Sequence, residues 1–488
     1  MSQVPVYENI ADERAIRLQK IKILEDYGIE PYAVVGERTH KIEEALKEPL
    51  DTEVAIVGRL ISKRVVGKII FSVLQDVSSS MQIIIKSDEI GAESFKLFVK
   101  MVDVGDFVGV SGKRFLTQRE EESVLVSKWK ILSKSVRPLP DKFHGLKDKE
   151  TRYRKRYLDL ITDREVFERF KLRSKIISYV REFLNQKDFL EVETPVLQTL
   201  YGGTNARPFK THINAYDMGM YLRVAPELYL KRLVVGGYEK IYEIGKNFRN
   251  EGADQTHNPE FTMIEWYEAY VDYSTMMDRA EELYKFIATK LFGSPKLPSD
   301  EGNIDIDYAW PRLPMAEAIK QYADIDVNEL SDEQLKKVCE ANEVENRGMA
   351  TRGQMIMDIF EKLVTDKLIK PIWIIDYPKE VSPLSRTHRS KSNLVERFEC
   401  YVNGKEIGDG WSEIIDPRTQ RDRFENEQAA MRAGNEESHP MDEDFLEALE
   451  YGLPPLGGIG IGIDRLVMLY TNEKSIREVL FFPIMRPE

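Results

Sequence analysis

The chain reads as an α+β protein led by a small five-stranded β-barrel, and three observations predict this. Its 488 residues exceed what one core covers, and a prior of about 150 residues per domain gives about three units. Between residues 52 and 132 five short β-rich runs (VAIVGRLI, KIIFSVLQDV, MQIIIK, DFVGVSGKRF and SVLVSKWKIL) are separated by Gly, Ser and charged turns. Beyond residue 164 strand-like runs alternate with helical stretches in the mixed order of an α+β unit.

Each element follows from local spacing. From about Glu8 to Gly28 apolar residues recur at helical intervals (Ile16, Leu18, Ile21, Ile23, Leu24), and Gly28 and Pro31 supply a stop, which gives a helical segment over 1–50. The five β-rich runs place a barrel over 51–136. The OB-fold is the barrel of that strand count that offers one face to single-stranded nucleic acid, although other five-stranded barrels fit the same runs. Residues 137–163 read as a basic linker: RPLPDKFHGLKDKETRYRKR carries eight Lys or Arg against three Asp or Glu, which suits an RNA contact and equally a solvated charge run. Residues 164–185 then carry Val166, Phe170, Ile176, Ile177, Val180 and Leu184 on one stripe of a long amphipathic helix. The strand FLEVETPVL is broken at Pro195. MYLRV, KIYEIG, FTMIEWYEAY, WIIDYP, RFECYVNGKEIG and GIGIGI read as strands, 226–235 and 273–291 as helices, and 311–370 as a helical insertion within the large unit at 164–488.

Composition narrows the function classes. No run of about 18 apolar residues occurs, and MSQVPVYENIADERA lacks the basic and apolar regions of an export signal, so no membrane role and a cytoplasmic location are expected. Cys339 and Cys400 lie far apart without histidine clusters and read as core residues rather than a disulfide or zinc site. A net charge of -13 argues against general nucleic-acid affinity and leaves the basic stretch as a local exception.

The chemistry concentrates in FRNEGADQTHNPEFTMIEWYEAY (248–270), where Arg249 sits among Glu251, Glu260, Glu265 and Glu268, with Phe261, Trp266 and Tyr267 alongside. FLEVETPVL (189–197), FRNEGADQTHNPEFTMIEW (248–266) and GIGIGIDRLVML (458–469) resemble motifs one, two and three of the class II aminoacyl-tRNA synthetases. HGLKDKETRYRKRYLDLI, APELYLKRLVVGG and SIREVLFFPIMRP look like the lysyl branch of that family. The resemblance implies an antiparallel catalytic sheet flanked by helices, an anticodon-binding OB-fold and a homodimer joined through motif one. It also implies ATP-dependent activation of L-lysine to lysyl-adenylate, followed by transfer to the 3′-terminal adenosine of lysine tRNA.

The residues suit that reaction. A carboxylate attacking the α-phosphate of ATP is already ionised, so the obstacle is repulsion and positioning rather than proton removal. An arginine fork can hold both anions, and Arg249 is assigned that role. By resemblance Arg465 contacts the far phosphate and packs against the adenine, Phe261 stacks on the other face, and Glu251 lies near the exocyclic amine, with His257 and Asn258 in the same loop. Glu399 and Glu406, flanking the Asn403-Gly404 turn of a hairpin, match the family's Mg2+ ligands. Glu227 matches the residue that holds the α-ammonium of lysine, while Glu265, Tyr267 and Glu413 match those that receive its distal ammonium, with a backbone contact at Gly203. A buried set of carboxylates needs a cationic guest.

The family pattern departs in one place. Asp409-Gly410-Trp411-Ser412-Glu413 stands where Asn-Gly-Phe-Ser-Glu is usual, so Asp409 brings like charge toward the substrate carboxylate unless protonated, turned away or bridged; Trp411 still flanks the stem of lysine. Arg64, Phe71 and Gln82 match the barrel positions that read a uridine-rich anticodon. Taken one by one, Arg249 with Glu251 reads as a surface ion pair, the hairpin glutamates as solvated, and Phe71 as core. Two other functions fit parts of the pattern: a ligase that lysylates a protein acceptor, whose relatives lack the barrel, and an inactive RNA-binding paralogue, which loss of Arg249, Arg465 or the glutamate pair would favour.

Overall fold

The structure is a computed structural model that describes residues 12–140, 146, 148–344, 351–432 and 440–487. The chain divides into two units between residues 147 and 148. In the first, β1 (Glu53–Val66), β2 (Ile69–Gln75), β3 (Ser80–Lys86), β4 (Phe107–Leu116) and β5 (Glu122–Ser133) close into a barrel in the order β1-β2-β3-β5-β4. Strict alternation explains the closure: Val54, Ile56 and Leu60 of β1, Ile70 and Leu74 of β2, and Val108 and Val110 of β4 all point into one core while their neighbours face outward. The five expected strands are present. The β3–β4 connection, however, contains a helix, Ala92–Met101, absent from the sequence reading, whose Phe95, Phe98 and Met101 are buried in the barrel core. The leading helix spans Glu13–Asp26, with Asp12 accepting from the Arg14 amide at 3.0 Å and Gly28 at φ +70° just past its end. Residues 8–11 of the expected helix lie outside the described residues.

Arg64, Phe71 and Gln82 share the outer face of the barrel. Arg64 pairs directly with Phe71 across β1 and β2, with its guanidinium carbon 5.4 Å from the ring centroid. Gln82 pairs with Val73 one step along, and its Oε1 accepts from the Ser123 hydroxyl at 3.0 Å.

The second unit begins inside the stretch read as a basic linker. Helices Lys149–Arg154 and Arg156–Thr162 fold with this unit, and several of their arginines are engaged internally. Arg156 is fully buried, pairs with Asp159 at 2.6 Å and donates to the Arg477 carbonyl at 2.8 Å, while Arg152 pairs with Asp159 at 2.9 Å. Residues 141–145 and 147 of that stretch lie outside the described residues.

Eight strands form the central sheet: β6 (Leu190–Glu191), β7 (Lys240–Phe248), β8 (Glu260–Ala269), β9 (Arg312–Pro314), β10 (Ile372–Pro378), β11 (Leu394–Val402), β12 (Lys405–Ser412) and β13 (Leu456–Gly462), in the spatial order β9-β10-β11-β12-β13-β8-β7-β6. All pairs are antiparallel except β9 with β10 and β6 with β7. The helices Arg164–Gln186 and Tyr273–Phe292 cover one face, where Ile176, Val180, Met276, Leu283 and Ile287 meet Trp266, Phe398 and Ile459. MYLRV falls in a separate three-stranded sheet instead. The insertion expected over 311–370 begins with β9, a strand of the main sheet, and continues as helices Met315–Ala323, Asp332–Ala341 and Arg352–Leu363 around Ile319, Leu335, Ile359 and Phe360. Helices Pro417–Arg432 and Glu443–Glu450 were not expected. Cys339 and Cys400 are buried free thiols, as read from the sequence.

Phe98 is fully buried and meets Trp129 edge-on with ring centroids 5.0 Å apart. Phe98→Ala is expected to cost about 3–5 kcal/mol of barrel stability. Amide hydrogen exchange should then accelerate in β4 while the core of the central sheet keeps its protection.

Candidate active site

The site is built by the register of three strands. Antiparallel pairing sets Tyr267 opposite Gly458 and Glu265 opposite Gly460, and on the other side of β13 it sets Trp411 opposite Gly458 and Asp409 opposite Gly460. Side chains of β8 and β12 therefore rise on either side of a strand that presents bare backbone on this face. Ile459 and Ile461 point the other way into the core. A Cβ on Gly458 would meet Glu413 Oε1 and, at 2.6 Å, the Tyr267 ring, so only glycine leaves this space open. Gly203 closes another side at φ +94°, where a Cβ would lie 2.9 Å from that of Glu227.

Every site residue expected in this unit lines that one cavity except Glu399, which lines the adjoining one together with Glu406, Arg465 and His257. The acids converge at one end. Tyr267 donates to Glu265 Oε2 at 3.0 Å, and Trp411 Nε1 donates to Glu413 Oε2 at 2.8 Å. Burial, with Glu227 nearby, pushes the Glu265 carboxyl up to about 8 despite the Tyr267 hydrogen bond. Glu413 Oε1 is buried without a hydrogen-bond partner among the described residues.

The sequence reading missed a cation in this group. Lys231 is fully buried, with its ammonium 2.5 Å from Glu227 Oε1 and 2.5 Å from Glu413 Oε2. Burial works against its charge, but the two carboxylates outweigh it and hold the Lys231 pKa above its ordinary value. Glu227 and Lys231 stand four residues apart in the helix Glu227–Val235, a spacing that pairs side chains and was the available signal.

At the other end the cations dominate. Arg249 follows β7, its amide donating to the Pro259 carbonyl at 2.9 Å to close the β7–β8 loop, and its guanidinium carbon lies 5.1 Å from the Phe261 ring centroid. Among the described residues its Nε has no partner, and no ion pair engages it. Arg465 instead pairs with Glu406 and donates to His257 Nε2 at 3.1 Å, while His257 Nδ1 faces Asp254 at 2.9 Å. Asn258 donates to the Glu260 carbonyl at 2.6 Å, and Glu251 accepts from the Arg207 amide at 3.3 Å.

The Asp409 departure has a structural answer. Arg397, also missed, grips Asp409 bidentately at 2.9 Å on each oxygen and donates to Glu399 Oε1 at 2.7 Å, while the Tyr401 hydroxyl donates to Glu399 Oε2 at 2.6 Å. Asp409 is bridged. Burial raises its pKa, Arg397 opposes the rise and Glu399 adds to it. The hairpin that carries these groups turns through Asn403 at φ +53° and Gly404 at φ +71°, the left-handed pair expected for an Asn-Gly tip.

Comparison with known proteins agrees with this geometry. Residues 148–486 match the family of tRNA synthetases class II (D, K and N), and residues 54–132 match the OB-fold nucleic acid binding domain. The chain is 49% identical over 477 residues to a protein of Carboxydothermus hydrogenoformans named Lysine–tRNA ligase, covering 97% of each chain. The chain belongs to the class II lysyl-tRNA synthetases. Pelotomaculum thermopropionicum has a Lysine–tRNA ligase 48% identical over 98% of this chain and 96% of its own. Methanosarcina mazei has a Lysine–tRNA ligase 2 that is 48% identical over 97% of this chain and 94% of its own. Among the described residues no helix of this lysyl-tRNA synthetase family member is long and apolar enough to cross a membrane.

The Glu265 pKa makes a prediction. A carboxyl held near 8 in the fold and near 4.5 when unfolded lends stability below pH 4.5 that is lost progressively as pH rises to about 8. Glu265→Gln removes that loss. Chemical denaturation should find the two proteins alike at or below about pH 4.5 and the variant increasingly more stable as pH rises to about 8, by a few kcal/mol.

Proposed function

We propose that the chain is a lysine–tRNA ligase whose cavity seats lysine at its acidic end and ATP at its cationic end. The observation that carries this reading is the union, in one cavity, of Glu227, Glu265 and Glu413 with an Arg249 that makes no ion pair among the described residues. The substrate ammoniums take the acids, and its carboxylate is left facing the guanidinium. Arg249 holds that carboxylate against the α-phosphate, a carboxylate oxygen bonds to phosphorus as the bond to the leaving pyrophosphate breaks, and lysyl-adenylate results. The hydroxyl of the tRNA's terminal ribose then attacks the lysyl carbonyl and AMP departs. Stacking by Phe261, with the Arg465 cation near the nucleotide, orients ATP.

Two carboxylates fit a magnesium ion that keeps several waters and takes further ligands from phosphate, and Glu399 and Glu406 would hold it. Bound there, it supplies positive charge to the phosphates. Leu190, Val196, Leu197 and Leu200, all more than a third exposed around motif one, support a homodimer. Arg64, Phe71 and Gln82 on the barrel face support anticodon reading by stacking and base-edge hydrogen bonds. The presence of a barrel favours a tRNA acceptor over a protein acceptor, and a cytoplasmic setting follows from a role in translation.

Amino-acid-dependent pyrophosphate exchange tests the reading. Lysine alone among the standard amino acids should support exchange, and Arg249→Ala should lower the rate by about 10²–10³-fold. Exchange with a different amino acid and none with lysine would overturn the pocket assignment, and lysine-dependent exchange without charging of lysine tRNA would point to another acceptor.

A further inference from the structure

Lys231 lies outside the cavity lining, behind Glu227 and Glu413, and nothing in the reaction above employs it. We infer that Lys231 is a specificity-determining positioning residue: its ammonium engages one oxygen of Glu227 and one of Glu413, so that Glu413 Oε1, above the bare backbone of Gly458, is left as a seat for the distal ammonium of the substrate. The inference rests on the lysine-pocket reading and adds to it.

The geometry carries the argument. The side chains of Lys231 and Glu413 are both 0% exposed, and that of Glu227 is 3% exposed, so these contacts are closed to bulk solvent. Glu413 Oε2 already accepts from Lys231 and from Trp411 Nε1, while Oε1 has no partner among the described residues and lies so close to Gly458 that a Cβ there would clash with it. A buried carboxylate oxygen without a donor is costly, and the natural remedy is a donor brought by the guest.

Charge counting points the same way. Glu227, Glu265 and Glu413 carry three negative charges when ionised, and Lys231 cancels one. The two that remain match the two ammoniums of lysine, whose own carboxylate is met by Arg249. Without Lys231 one buried carboxylate has no counter-charge and holds a proton to higher pH. The other groups facing this set are Tyr267, which donates to Glu265, and the buried pair of Arg223 with Glu243 at 2.5 Å. That pair is already matched. Lys231 is thus the cation that tunes the cup to a diamine.

Steady-state pyrophosphate exchange on the full-length chain tests this, using Lys231→Met, Lys231→Arg and, as pocket controls, Glu413→Gln and Glu265→Gln. For Lys231→Met the KM for lysine should rise by about tenfold or more at neutral pH with the KM for ATP unchanged, the loss expected when a charged hydrogen bond that positions Glu413 is removed. The excess should shrink as pH is raised, because Glu227 and Glu413 ionise fully only in alkaline solution once their counter-ion is gone. Lys231→Arg keeps the charge and should restore part of the affinity. A Lys231→Met protein with the wild-type lysine KM and pH profile, alongside a Glu413→Gln protein with weakened lysine binding, overturns the inference and leaves the pocket reading standing. No effect in either glutamine variant overturns both. If Lys231→Met does not fold, Glu227→Gln is compared with Glu227→Gln/Lys231→Met; a higher lysine KM and altered pH profile in the double variant support the inference, and identical behaviour overturns it.

Discussion

Alternation of glycine with isoleucine along one central strand is the constraint from which the site follows. In β13 the isoleucines anchor the strand in the core, and the glycines leave the opposite face without side chains. A flanked floor of bare backbone lets a cavity open in a closely packed sheet, because the volume that side chains would fill is left for a guest. Hydrogen-bond register then assigns neighbours. The residues two apart on β8 and on β12 share the glycine face, which is why two acids and two aromatics surround one hollow.

That hollow holds more ionisable groups than folding alone would favour. Glu265 is kept from ionising freely by burial, Lys231 and Arg397 are enclosed to neutralise acids, and Arg249 keeps an unsatisfied nitrogen. Each arrangement lowers the stability of the empty protein relative to an apolar core of equal volume. The polar ends also differ in kind. The cations at the nucleotide end are split between Arg465, which is paired with Glu406, and Arg249, which lies over Phe261 and makes no ion pair among the described residues, so the two are not interchangeable.

Much of this was legible in the sequence, for physical reasons that differ from residue to residue. The five barrel strands announce themselves as short β-rich runs bounded by Gly, Ser and charged turns, and the Asn403-Gly404 tip by the φ > 0 that it demands. The acids were readable through the family motifs, each of which is a short contiguous string. The partners were not. Arg397 lies only 12 positions from Asp409 but meets it through the register of a strand pair, and Lys231 reaches Glu413 from a helix 182 positions earlier in the chain, beyond any local window. The barrel helix Ala92–Met101 was passed over although Phe95, Phe98 and Met101 recur every third residue, because the flanking β-rich runs invited a simple turn between them. The helices at 417–450 are mostly polar, with a narrow buried stripe that composition obscures.

The Arg397–Asp409 fork has a bearing on inheritance. An aspartate at this position is tolerable because a guanidinium already clasps it from the adjoining strand, so the two sites behave as one transmissible trait. Grafting the aspartate into a homologue without that arginine would import unmatched negative charge, whereas moving both together would carry over a clasped pair. An acid here is thus tolerable only while the clasp persists.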